Sequence, residues 1–116
     1  MASERRLQKL DQVLREEIAK ILDREIEFPA EMIVTVTRLS VSPDARIASA
    51  FVSILGGDGK TALEILAKNV YHIQQLLNRR LPIRPVPKIH FAIDEEEMKR
   101  EGVEKSLAEL KRKKEI

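Results

Sequence analysis

The amino-acid sequence predicts a small α+β fold, and three observations lead to that prediction. A helical stripe of apolar residues comes first, and two alternating β-branched segments follow it. A second helical stripe then precedes a short alternating segment at residues 88–93. With 116 residues, 43% of them hydrophobic, the chain can build one domain around one core. We expect three strands in one sheet that packs on the helices.

The first helix is predicted over about residues 4–25. Apolar residues recur there at spacings of three and four, as expected for one face of a helix: Leu7, Leu10, Val13, Leu14, Ile18, Ile21 and Leu22. Pro29 follows soon after and prevents the helix from continuing.

The next two elements are predicted to form an antiparallel hairpin. The first strand covers residues 32–42, and its apolar residues change phase near Thr37 and Arg38, which indicates a β-bulge. Ser42, Pro43 and Asp44 suit a tight turn with proline at its second position. The second strand follows at residues 46–55, so the short connection predicts a hairpin.

A glycine-rich turn at residues 56–59 leads to a second helical segment at about residues 61–81, which is long enough for a break to be expected. Pro82, Pro85 and Pro87 then predict an extended connector, and residues 88–93 a third strand with one polar face. We predict a domain over residues 1–94. Residues 95–116 are predicted to form a charged C-terminal extension, either helical or mobile.

Composition narrows the functional classes. The chain has no cysteine, which excludes disulfides and thiolate metal sites. No secretory signal and no apolar run of bilayer length is found, so we expect a cytoplasmic protein without membrane contact.

No motif supports catalysis. Gly59, Lys60 and Thr61 resemble the end of a phosphate-binding loop, but Ile54 stands where that loop needs its first glycine. His72 and His90 lack neighbours at metal-ligand spacing. We therefore expect no enzyme activity, no metal, no cofactor and no small-molecule substrate.

Charge is concentrated in one segment. The whole chain has a net charge of +2, whereas residues 60–90 contain six cations and one acid, Glu64: Lys60, Lys68, Arg79, Arg80, Arg84 and Lys88. Such a concentration is typical of a phosphate-binding surface, although an ordinary solvated face explains it equally well. Arg38 and Arg46, near the first hairpin, would widen the surface.

Aromatic residues are too few for a stacking sheet that binds RNA, because the chain has three phenylalanines, one tyrosine and no tryptophan. Phe51 and Phe91 fall at strand positions that suit the core. Tyr71 could stack on one base or pack in the core, and both alternatives remain open. RNA binding would then depend on cations that contact the backbone.

Several segments together resemble the ribosome-binding factor A family across nearly the whole chain. They are residues 34–37 (VTVT), 41–44 (VSPD), 48–56 and 81–91. The resemblance implies a KH-like fold of type II, with the order α-β-β-α-kink-α-β. It also implies a monomer that binds 16S rRNA in the free or immature 30S ribosomal subunit. Such a factor assists late maturation, including rRNA processing and growth in the cold, without catalysis.

The resemblance also implies a kink in the second helical segment, where the family has an Ala-x-Gly pattern. By spacing the pattern falls on residues 69–71, and by residue type it matches residues 67–69 better. The candidate kink residues are therefore Ala67, Asn69 and Tyr71, and the glycine is missing from both placements. Asn69 is the residue that best tolerates a non-helical backbone there, and we expect it beside the RNA. The alternative is a protein-interaction module that docks through the first helix or the charged tail.

Overall fold

The computed structural model describes residues 4–100, which form one three-stranded sheet and three helices. Their order is α1 (Glu4–Glu25), β1 (Ile33–Val41), β2 (Ile47–Leu55), α2 (Gly59–Arg80), β3 (Lys88–Ile93) and α3 (Glu95–Arg100). The predicted α+β class and the three-stranded sheet are confirmed.

The sheet has the strand order β1-β2-β3, and it is mixed. β1 and β2 pair antiparallel through the predicted hairpin, while β3 runs parallel to β2. The β1–β2 register shifts between Val36 and Arg38, which confirms the bulge and leaves Thr37 as the extra residue. The predicted turn is confirmed as well, because the Ala45 N–H donates to the Ser42 carbonyl at 2.8 Å.

The core lies between one face of the sheet and the two long helices. α1 packs mainly against β1, and α2 packs against β3. β2 turns four fully buried residues toward the helices, namely Ala48, Ala50, Val52 and Ile54. Phe51 therefore lies on the opposite, outer face, half-buried beneath the Arg38 guanidinium, whose Cζ is 4.0 Å from the ring centroid. The prediction that Phe51 belongs to the core is wrong, because its neighbours at even positions fill that face.

α2 differs from the prediction of two helices joined at a kink. It continues without interruption from Gly59 to Arg80, through Ala67, Asn69 and Tyr71. The Asn69 side chain donates to the Ile65 carbonyl at 2.8 Å, one turn earlier. The Asn69 side chain thus forms a hydrogen bond with the helix backbone, and the residue itself stays helical. No glycine is present here to favour a break in the helix.

Specific residues hold both ends of α2 in place. Gly56 has φ +73°, and a Cβ there would lie 1.8 Å from the Glu31 carbonyl oxygen, so the turn requires glycine. Asp58 caps the helix by accepting from the Lys60 N–H at 2.8 Å. At the other end, Arg80 Nη1 is 3.5 Å from Glu17 and Nη2 is 3.4 Å from Glu25, and both carboxylates belong to α1.

Asp94 connects the end of β3 with β1 and α3. Its carboxylate accepts from the Thr37 hydroxyl at 2.6 Å and from the Glu97 N–H at 3.1 Å, and it lies 3.4 Å from Arg38 Nε. Only 4% of Asp94 is exposed. Because β2 lies between β1 and β3, this carboxylate joins the two outer strands.

α3 packs on the end of β2 through Met98, which is buried and accepts from the Ile54 N–H at 3.2 Å. The C-terminal extension, predicted to be either helical or mobile, is helical over its first residues, 95–100. The predicted boundary after residue 94 stays a prediction. Residues 101–116 of the extension lie outside the described residues.

The pKa of Asp94 lies below the ordinary aspartate value of 3.8, mainly because its carboxylate accepts a hydrogen bond from the Thr37 hydroxyl. Burial acts in the opposite direction, and the Glu97 N–H and Arg38 add to the lowering. The unfolded chain therefore binds more protons than the folded one between the two pKa values, so stability rises with pH in that window.

We expect Asp94→Ala to lower the free energy of unfolding at pH 7 by about 2 kcal/mol, because it removes charged hydrogen bonds and the cap of α3. The full difference in the free energy of unfolding should be present above pH ~4, and it should shrink as the pH falls toward and through the lowered pKa of Asp94. Urea unfolding between pH 7 and pH 3 measures this, with the exposed Asp23→Ala as control. A difference that is absent at pH 7 or unchanged at pH 3 would contradict it.

Arg80→Ala should lower the free energy of unfolding by about 0.5 to 1 kcal/mol, because Arg80 is 35% exposed and pairs with two carboxylates. Arg79→Ala is the matched control, since Arg79 is exposed, occupies the same turn and has the same helix propensity. Urea unfolding at low and high salt compares the two variants. Equal stabilities at low salt would show that the Arg80 ion pairs do not stabilise α1 against α2.

Candidate nucleic-acid interface

A groove runs between α2 and the free edge of β3. It has a volume of about 300 Å³, and its lining is mostly apolar: Leu63, Ala67 and Val70 from α2, and Ile89, His90 and Phe91 from β3. We call it the α2–β3 groove. It exists because α2 covers β3, which is the last strand on that side of the sheet.

Gln74 fixes the separation of the two walls. Its Oε1 accepts from the Ile89 N–H at 2.9 Å, and its Nε2 donates to the Pro87 carbonyl at 3.0 Å. One side chain of α2 thus pairs with β3 as a neighbouring strand would, at the first residues of the free edge. The sequence pattern does not predict this role of Gln74, since its partners are 13 and 15 residues away along the chain.

Four of the cations predicted to bind RNA are exposed and have no ion pair within residues 4–100: Lys60, Lys68, Arg79 and Lys88. The first three lie on α2, where spacings of eight and eleven residues bring them to one side of the helix. Lys88 opens β3, and its N–H donates to the carbonyl of Arg46, the residue before β2, at 2.8 Å, so the backbones of these two cations are adjacent. The Arg46 side chain is exposed, with Asp44 3.9 Å away.

The other predicted cations have partners inside the protein. Arg38 pairs with Asp94, and Arg80 lies between Glu17 and Glu25. Arg84 Nη1 donates to the Leu81 and Ile83 carbonyls at 2.9 and 2.6 Å. The structure therefore does not gather all the predicted residues on one surface. It divides them between the exposed side of α2, the start of β3, the proline-containing connector, the outer face of the sheet and the contact between α1 and α2.

The residues predicted at the kink also separate. Ala67 lines the groove, Asn69 is half-buried with its amide on the helix backbone, and Tyr71 is exposed. The loop that resembled a phosphate-binding motif is occupied by Asp58, which takes the Lys60 N–H and accepts from the Thr61 hydroxyl at 3.1 Å. Asp58 therefore occupies the donors that a phosphate-binding loop would offer to its ligand.

Neither a metal-binding cluster nor a membrane-spanning helix is found in the described part of the chain. Residues 4–100 contain no group of three His, Asp or Glu side chains arranged to hold a metal ion. None of the helices in that range has the length and the apolar content that a membrane crossing requires.

Comparison with known proteins gives a consistent answer. The sequence profile of the family Ribosome-binding factor A matches residues 6–107. The ribosome-binding factor A of Thermomicrobium roseum is 41% identical over 88 residues, which are 74% of this chain and 68% of the relative. That of Pseudomonas aeruginosa is 36% identical over 94 residues, covering 78% of this chain and 73% of the relative.

Solved structures agree on the fold. The crystal structure of ribosome-binding factor A from Thermus thermophilus superposes with a TM-score of 0.69 at 23% identity, covering 75% of this chain and 93% of that one. A homology model of the Thermus thermophilus factor, fitted into a cryo-electron microscopy map of its complex with 30S, gives 0.64 at 24% identity and covers 72% and 90%. On its sequence, supported by this fold, the chain belongs to the ribosome-binding factor A family.

Proposed function

We propose that this protein binds 16S rRNA in the free or immature 30S ribosomal subunit and assists its late maturation. In this proposal it acts as a cytoplasmic monomer, without a catalytic step, and supports rRNA processing and growth in the cold. Membership of the ribosome-binding factor A family supports the subunit as partner, as does the 30S complex of the Thermus thermophilus relative. The observation that carries the RNA contact is the set of exposed cations without ion pairs in the described residues, on α2 and at the start of β3.

Cations without a protein partner are the ones best able to bind phosphate. A phosphate that approaches Arg38 or Arg80 has to compete with a carboxylate already within 3.5 Å. Lys60, Lys68 and Arg79 face solvent from a rigid helix, so their charge is available. Phosphate contacts position a protein on RNA without reading its sequence.

We therefore place the RNA backbone along the exposed side of α2 and around the start of β3. The proposed contacts are Lys60, Lys68, Arg79, Lys88 and Arg46, with Arg84 beside them on the connector. Arg38 and Arg80 are left out of the proposed interface because a carboxylate lies within 3.5 Å of each guanidinium, and Asn69 because its amide binds the Ile65 carbonyl.

Lys68→Ala and Arg79→Ala should each weaken binding to 30S subunits and lower the slope of log affinity against log salt by about one unit. Co-sedimentation over a range of salt concentrations measures both effects. Lys20→Ala is the matched control, because Lys20 is an exposed lysine on α1. Unchanged affinity and salt slope in both Lys68→Ala and Arg79→Ala would contradict this placement of the RNA.

The protein should co-sediment with free 30S subunits and not with complete ribosomes, because a maturation factor has to leave before the subunit enters translation. Incubation with each purified particle, followed by gradient centrifugation, separates the two outcomes. Equal binding to both particles would contradict a role restricted to maturation.

A further inference from the structure

Tyr71 is an exposed aromatic residue on α2. It is 74% exposed, although it is the only tyrosine of the chain. This exposure contradicts one of the two alternatives left open by the sequence, since Tyr71 does not pack in the core. Its hydroxyl accepts from Gln75 Nε2 at 2.8 Å, one helical turn later, so the ring is held in place while its faces remain in solvent.

The position of Tyr71 connects it with the α2–β3 groove. Ala67 precedes it by four residues and Val70 by one, and both line the groove. Residues four apart lie on the same face of a helix, so the ring stands at the rim on the α2 side. Lys68, one turn earlier, is exposed and has no ion pair within the described residues.

These neighbours distinguish a nucleotide from a protein as the ligand. An aromatic residue that anchors a protein partner usually lies within an apolar, water-excluding surround. Tyr71 has the apolar groove on one side only, and on its other side the helix presents Lys68, His72 and Gln75. An aromatic face beside a cation suits a base and its phosphate, because every base has a flat face that can stack on the ring.

We infer that Tyr71 stacks on one unpaired base of RNA at the rim of the α2–β3 groove, while Lys68 contacts a phosphate of the same strand. This inference rests on the proposed RNA-binding function and specifies the ligand as a single-stranded segment. A base within a duplex is stacked on its neighbours and cannot also cover the ring.

Tyr71→Ala should weaken binding to a single-stranded hexamer of uridines by about tenfold, within the range expected for loss of one stacked base. Tyr71→Phe should stay within about twofold of the unmodified chain, since it keeps the ring and loses only the bond with Gln75. Ile33→Ala is the control, because it shortens an exposed apolar side chain on β1. Thermal unfolding verifies that the variants fold.

Because Tyr71 is the single tyrosine, its ring signals can be followed by NMR. A purely structural role of Tyr71 would not shift these signals when RNA is added. In the full chain labelled at tyrosine, the NMR signals of the Tyr71 ring should shift upfield on adding the hexamer and stay in place on adding duplex RNA. The inference is overturned if the hexamer does not bind, if Tyr71→Ala binds as well as the unmodified chain, or if the ring signals do not move in the complex.

Failure of this inference is separable from failure of the proposed function. If Lys68→Ala and Arg79→Ala lower the salt slope on 30S subunits while Tyr71→Ala leaves hexamer affinity and ring signals unaffected, the phosphate contacts stand and the stacking is wrong. If the lysine and arginine variants also bind subunits normally, the proposed interface is wrong as well.

Discussion

Because β3 runs parallel to β2, the chain has to return along the whole sheet between these two strands, and α2 makes that crossing. The rest of the architecture depends on this constraint. The crossing places α2 over β3 at one side of the sheet, which creates a groove along the free edge. The prolines after Arg80 lead the chain back to the start of β3, beside Arg46. The far end of β3 then brings Asp94 to the bulge of β1, where its carboxylate binds Thr37 and begins α3.

The elements that depend on local patterns were predictable from the sequence. The stripe of α1, the phase change at Thr37 and the turn at Pro43 each involve residues close together in the chain, and the structure confirms them. Two other features depend on distant partners. Phe51 and its neighbours form a run of mostly apolar residues, so periodicity alone did not tell the inner face from the outer one. The Asn69 amide binds the Ile65 carbonyl within the uninterrupted α2, and that partner is not visible in residue type.

At the candidate site, too, features set by local sequence were predictable, whereas those that depend on distant partners were not. Counting charges located the basic segment, but it could not tell which cations already have a partner. Arg79 and Arg80 are adjacent in sequence, yet Arg80 points to two acids of α1 that precede it by 63 and 55 residues. The groove was missed because its walls are apolar and belong to two separate elements. Family resemblance supplied the expected partner, whereas only the structure separates the cations that stabilise the fold from those that remain available.

The pairing of Gln74 with β3 has a consequence for the behaviour of the protein at high concentration. A strand at the edge of a sheet displays unpaired backbone groups, and these favour edge-to-edge aggregation with other chains. Gln74 already occupies the Ile89 N–H and the Pro87 carbonyl, so an incoming strand would have to displace a side chain anchored on α2 before it could pair there. The molecule can therefore keep an open groove along this strand while its first residues are protected against self-association.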